Sequence, residues 1–341
     1  MTDALIEIKT PYLLFLGDTK EAGLAKTAYG ILQWCPDKCA GQLRLSGCGA
    51  DLGIEDLTPK EAKEKYKAGT LVIGVANLGG FLPDEWVATL CEALEAGLDI
   101  AAGLHVRLND MEILRETAKK YGRTIHDVRQ TTLPLKVGNG QKRSGKRVLA
   151  VAADCAIGKK YAALALAKEM QSRGMNADFR ATGQTGILIA GSGIAVDAVV
   201  ADFISGAAEM ISPANAEDHW DVIEGQGALF HPAYAGVALG LLHGSQPDGL
   251  IICHDPGRTH TAFLKGFPLP DIETVMRRNV EAGHLTNPNV TVVGVAVNTS
   301  QFNEQDAASY MAALSQRVTL PVCDPLRTGM AAIVDHMLKD L

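Results

Sequence analysis

The sequence predicts an α/β fold in two domains, each built on a parallel sheet, and three observations carry that prediction. Apolar, strand-forming stretches alternate along the chain with helical stretches of about ten to fifteen residues, the spacing of strands joined by crossover helices. The alternation stops at a polar, basic, glycine-containing tract, GNGQKRSGKR (138–147), and then restarts. The restart opens on AVAADCAIGKK (150–160), where an apolar strand runs into a turn that follows the phosphate-loop pattern. The expected domains are therefore 1–139 and 140–341.

In the first domain YLLFLGD (12–18) reads as a strand and 19–33 as a helix. A short strand follows at 41–47 and a buried one at 70–76. DEWVATLCEALEAG (84–97) is an amphipathic helix, followed by a strand at 98–105 and a helix at 109–122. The turns at 17–19 and 77–80 end strands, where ligands of open α/β sheets collect. No G-x-G-x-x-G follows the first strand, so nothing marks a dinucleotide site there.

In the second domain RVLAVAAD (147–154) is a β-branched strand and KYAALALAKEM (160–170) a strong helix former. Residues 176–186 read as a strand ending in a glycine- and threonine-rich turn, and 194–208 as helical. Further strands are expected at 221–227, 249–255 and 290–300, with helices at 233–244, 271–283 and 303–316 and a short helix at the C-terminus.

The bulk composition excludes several classes. The chain has 341 residues, 47% of them hydrophobic and 21% charged, an ordinary globular balance with room for two cores. A net charge of −7 provides no basic footprint for nucleic acid. No apolar run of about 18 residues suggests a membrane span, and no N-terminal signal is evident. The seven cysteines lack C-x-x-C spacing, so neither a disulfide framework nor a zinc site is expected. A cytoplasmic location follows from that cysteine usage.

In G-x-x-x-x-G-K-[ST] the backbone N–H groups surround an anion at a helix N-terminus. Gly158 and Lys159 are in register, but Ala153 replaces the first glycine and Lys160 the hydroxyl residue. A hydroxyl there holds Mg²⁺ against the phosphates, and lysine cannot. The expectation is a cradle of Cys155, Ala156, Ile157, Gly158, Lys159 and Lys160 that grips a phosphorylated ligand without splitting it, with Mg²⁺ not expected.

Other polar residues gather past strand ends. Glu224 stands where phosphate-loop folds keep a metal- or water-organising acid. Thr182, Gln184 and Thr185 lie in a turn that offers N–H groups and hydroxyls to a second anion; a plain glycine turn explains it nearly as well. HDPGRTH (254–260) offers His254 as a proton acceptor and Arg258 as a planar fork for carboxylate or phosphate. Metal binding by His254, Asp255 and His260 lacks the helical spacing that would support it. His231 is a second base, Asn298 an amide suited to adenine, and Arg327 a clamp for the same ligand or a carboxylate. Cys155 sits where a helix N-terminus favours a thiolate, yet no histidine adjoins it in sequence.

Over nearly its whole length the chain resembles the D-glutamate N-acetyltransferase (DgcN) family, two-domain proteins long filed under unknown function. The resemblance rests on GDT and AKTAYG near the N-terminus, DCAIGKKYAALAL, ATGQTGILIAGSGIAVDAVVADFISGAAE, EGQGALFHPAYAGVALGLLHGSQPD and CHDPGRTH. It implies a Rossmann-like N-terminal domain and a phosphate-loop NTPase-like C-terminal domain of the dethiobiotin synthetase kind. It also implies transfer of an acetyl group from acetyl-CoA, as co-substrate, to the amine of D-glutamate. A homo-oligomer acting on a small amino acid is expected.

On that expectation Glu224 or His254 removes the ammonium proton, the amine attacks the thioester, and glycine-turn N–H groups stabilise the oxyanion. Arg258 and Arg327 hold substrate carboxylates. Two rivals remain: an ATP- and Mg²⁺-dependent ligase or kinase using Glu224, and a nucleotide-binding regulator without turnover.

Overall fold

The computed structural model describes residues 5–75, 82–262, 264 and 266–341, so the predicted turn at 77–80 lies outside the described residues. These residues pack as two compact units. The first comprises the chain up to Leu133 together with Gly183–Ala195, and the second comprises Pro134–Thr182 and Val196–Leu341. Segment 183–195 is therefore not part of the second unit, as a single break near 140 would have it.

The first unit carries a parallel sheet of β1 (Tyr12–Gly17), β2 (Cys39–Arg44), β3 (Thr70–Ile73), β4 (Asp99–Ala102) and β5 (Ile125–Asp127), in the order β2-β1-β3-β4-β5. Every residue of β1 is buried, as a parallel strand covered on both faces requires. The crossovers are α1 (Lys26–Trp34), α2 (Pro59–Tyr66), α3 (Asp84–Glu95) and α4 (Glu112–Tyr121). The expected helix at 19–33 is split, its first part forming a 3₁₀ turn at Ala22–Ala25.

The helix α2 was not legible from apolar spacing, because PKEAKEKY is almost wholly polar. It forms through its start: Thr58 and Glu61 make a reciprocal capping box, and Pro59 occupies the first turn. A further helix, α6 (Gln184–Ala190), packs against α1 and buries Ile187, Leu188 and Ile189. The threonine-rich segment expected as an open turn is thus a helix start.

In the second unit β6 (Lys146–Ala152), β7 (Ala177–Arg180), β8 (Trp220–Ile223), β9 (Gly249–His254), β10 (Thr291–Val297) and β11 (Val322–Cys323) form a parallel sheet, ordered β11-β10-β9-β6-β8-β7. Its helices are α5 (Lys159–Ser172), α7 (Ile204–Ile211), α8 (Ala235–Ser245), α9 (Ile272–Gly283), α10 (Glu304–Val318) and α11 (Ala331–Asp340). The helix expected across 194–208 begins only at Ile204, after two 3₁₀ turns. The β-branched run there is a poor helix former.

The helix α5 is buried from Ala162 through Ala167, the mark of a helix enclosed on all sides. β6 pairs with β8 on one side and β9 on the other, so the loop after it leaves the sheet at its centre. Chain connections diverge there, which is where open α/β sheets bind ligands. Among the described residues no helix is long and apolar enough to cross a membrane.

Candidate functional site at the carboxyl edge of the second sheet

Between β6 and α5 the backbone passes twice through the left-handed region, at Ala156 (φ 54°) and Gly158 (φ 105°). Gly158 is the residue before the first helical position, and a side chain rarely tolerates its φ. Ala153 makes no such demand, which explains why the pattern keeps its second glycine and not its first. The N–H groups of Ala156, Ile157, Gly158 and Lys159 find no acceptor among the described residues. They open onto the N-terminus of α5, where the helix dipole favours an anion.

Lys159 is buried and its Nζ donates to the carbonyl of Asp154 at 2.8 Å. Burial pulls its ammonium below the usual lysine range, against the opposing pull of Cys155, Cys253, Asp154 and Glu224. Lys160 is half-buried; burial lowers its pKa too, and Glu224 opposes that shift. The Cys155 thiol is pushed up, chiefly by burial, although Lys159 pulls it down. Cys155 is therefore no activated nucleophile, and its place is in the loop wall.

Glu224 follows β8 and is 4% exposed. Its Oε2 accepts from the Thr182 N–H at 3.0 Å, and its carbonyl accepts from Thr182 Oγ1 at 2.7 Å. This tie joins the ends of β7 and β8 and consumes Thr182, which is fully buried. Gly225 follows because only glycine fits: a Cβ there would stand 1.7 Å from the Ala150 carbonyl and 2.9 Å from Lys159 Cδ.

Gln184 and Thr185 lie in the first unit, Gln184 accepting from Arg129 Nη1 at 3.2 Å and Thr185 facing Thr27 Oγ1 at 3.3 Å. The trio expected to share one anion turn is therefore divided between the two units.

A group that sequence reasoning passed over stands at the centre. Asp154 is fully buried, and its carboxylate accepts from the Cys155 N–H at 2.7 Å, the Ala262 N–H at 2.6 Å and Arg258 Nη1 at 3.1 Å. The signal was a single charged residue inside the otherwise apolar run 148–158. Asp154, Cys155 and His231 bring ligand atoms within 4.8 Å of one another. Their donors do not suit a cation. His231 Nδ1 accepts from the Ala233 N–H at 3.1 Å, which leaves the ring proton on Nε2, and the Asp154 carboxylate is already engaged three times.

The loop after β9 supplies the opposite wall. His254 Nε2 lies 2.8 Å from the Tyr310 hydroxyl, with the two rings stacked at 14°. Burial holds the imidazole below its ordinary pKa. A small pocket is lined by Ala153, Ile157, His254, Asp255, Arg258 and Leu269, among others, and so adjoins the phosphate loop. Asn298 Nδ2 reaches Asp255 at 3.4 Å, and Arg327 Nη2 donates to the Phe302 carbonyl at 2.6 Å. Both are exposed at the same sheet edge. The edge thus collects the loop 155–160, Glu224, His254, Arg258, Asn298 and Arg327.

Comparison with known proteins gives the chain two family domains, the second of which runs continuously through 183–195. Residues 136–334 match the C-terminal P-loop domain, and residues 38–131 the N-terminal Rossmann-like domain, of a family described as domain of unknown function DUF1611. Two curated relatives are named D-glutamate N-acetyltransferase. The one from Tritonibacter scottomollicae is 49% identical over 97% of this chain and 99% of its own. The one from a Pseudoalteromonas species is 46% identical over 97% of this chain and 100% of its own. The crystal structure of a DUF1611 family protein from Anabaena variabilis is similar with a TM-score of 0.83 at 32% identity, covering 97% of this chain and 100% of that one.

Proposed function

The chain belongs to the DUF1611 family, and on that premise we propose that it is an N-acetyltransferase that moves the acetyl group of acetyl-CoA to the amine of D-glutamate. Support comes from the two relatives of that name at 49% and 46% identity over nearly the full chain. The observation that carries the donor assignment is the cradle at residues 155–160, with Lys159 and Lys160 and no hydroxyl ligand. Coenzyme A carries a diphosphate and a further phosphate, and the reaction transfers none of them.

Acetyl-CoA lays its diphosphate on the free N–H groups of the loop, with its adenine toward Asn298. Arg258 and Arg327 receive the carboxylates of the amino acid. His254, neutral because burial disfavours its charge, accepts a proton from the substrate ammonium. The freed amine attacks the thioester carbonyl, the C–N bond forms, the C–S bond breaks, and coenzyme A leaves as the thiol, its sulfur taking the second proton that the attacking nitrogen releases. Glu224, tied to Thr182, serves as counter-charge to the two lysines. The cysteines are all free thiols, which suits a reducing cytoplasm.

The test is thiol release from acetyl-CoA against a panel of D- and L-amino acids. Release with D-glutamate and little with the others supports the proposal. No release with any amine, together with phosphate or ADP produced from ATP and Mg²⁺, overturns it in favour of a ligase or kinase.

A further inference from the structure

A phosphate loop ordinarily recruits Mg²⁺ through the hydroxyl that follows its lysine, and the cation neutralises the phosphates it holds. The residues here do not fit that cation. Position 160 is lysine, whose ammonium has three donors and no lone pair to give a metal. The nearest carboxylate to follow β8, Glu224, is buried and tied through Oε2 to the Thr182 N–H. Asp154, the other buried acid of the loop, is saturated by Cys155, Ala262 and Arg258.

We propose that Lys160 is a built-in substitute for the divalent cation, so that this site binds a nucleoside diphosphate group without metal. Three observations stand behind this. Lys159 and Lys160 open the same helix, with Gly158 before them in the left-handed region at φ 105°. Lys160 is half-buried within reach of the Glu224 charge, its Nζ lying 5.3 Å from the centre of the Tyr161 ring, so a second cation is kept near the start of the helix. Glycine at 225 leaves room for the Lys159 stem beside the end of β8, since a Cβ there would stand 2.9 Å from Lys159 Cδ. The two ammonium groups together supply the charge that a metal and one lysine supply elsewhere.

The inference rests on the proposed placement of the donor at this loop, and its test is read by binding, separately from acetyl transfer. Coenzyme A and ADP are titrated calorimetrically into the full-length wild type, Lys160→Met and Lys160→Thr, each in EDTA and again in excess Mg²⁺. The wild type is expected to bind both probes equally well in the two conditions. Both variants are expected to lose roughly ten- to a hundredfold in EDTA, the worth of one charge-assisted bond. Mg²⁺ should restore Lys160→Thr and not Lys160→Met, because only threonine can ligate it.

Wild-type binding that collapses in EDTA and returns with Mg²⁺ overturns the inference. So does unchanged affinity in both variants, or failure of the wild type to bind either probe. Metal-independent binding combined with no acetyl transfer would retain this inference while removing the proposed reaction. The folded state of each variant is checked by its melting temperature, and Lys160→Arg, which keeps the charge, should retain most of the metal-free affinity.

Discussion

Arg258 Nη1 lies 3.1 Å from Asp154 Oδ2, joining the loop after β9 to the residue that ends the strand run before the phosphate loop. The carboxylate is fully buried and the guanidinium partly exposed. The pair therefore pins one wall of the site to the other while leaving the arginine open to a ligand.

Asp154→Ala should destabilise the second unit by about 3–5 kcal/mol, since it strands Arg258 and two backbone N–H groups that now share one acceptor. Chemical denaturation measures this. A loss under about 1 kcal/mol would show that water replaces the carboxylate.

Lys159→Met should weaken acetyl-CoA binding by roughly ten- to a hundredfold, the value of a charge-assisted bond to phosphate. Equilibrium titration checks it. Unchanged affinity would remove the donor from this loop.

The buried His254 has its pKa lowered, so it is unprotonated at neutral pH and takes a proton only as the pH falls through that depressed value. The rate of acetyl transfer should stay level through neutrality and fall on the acid side, below the ordinary imidazole range. His254→Asn should lower kcat by about 10²–10⁴-fold and abolish that acid limb. A variant that keeps the limb would assign the base elsewhere.

Ala156 adopts φ 54°, a conformation that costs a residue with a Cβ but not glycine. Ala156→Gly should relieve that strain and raise stability by about 0.5–1 kcal/mol after the extra chain entropy of glycine. Thermal melting reads the outcome, and a lowered melting temperature would mean that the exposed methyl makes a contact worth more than the strain.

The strand, loop and helix at 147–170 were legible because each signal is local: a β-branched run, a Gly-Lys pair and an alanine- and leucine-rich stretch. The capped helix Pro59–Tyr66 was not, because it is specified by Thr58 and Glu61 and lacks an apolar stripe. Thr182 and Gln184 were read as one turn, yet two residues of spacing separate a buried strand-end tie from a helix packed in the other unit. Tyr310, the partner of His254, is 56 residues away, and Arg258, the side-chain partner of Asp154, is 104 away, so no spacing rule pairs them. Composition placed the candidate residues past strand ends of the second sheet; pairwise contacts needed the fold.

The chain leaves the second unit after Thr182 and re-enters it at Val196. No single cut can therefore separate the units cleanly. A fragment starting at 134 would carry α6 with Ile187, Leu188 and Ile189 stripped of their covering, and a fragment ending at 133 would lack the helix that seats on α1. An excursion of thirteen residues, Gly183–Ala195, thus lodges part of the first unit's core inside the sequence of the second, and a clean dissection needs two cuts more than a simple tandem of domains would.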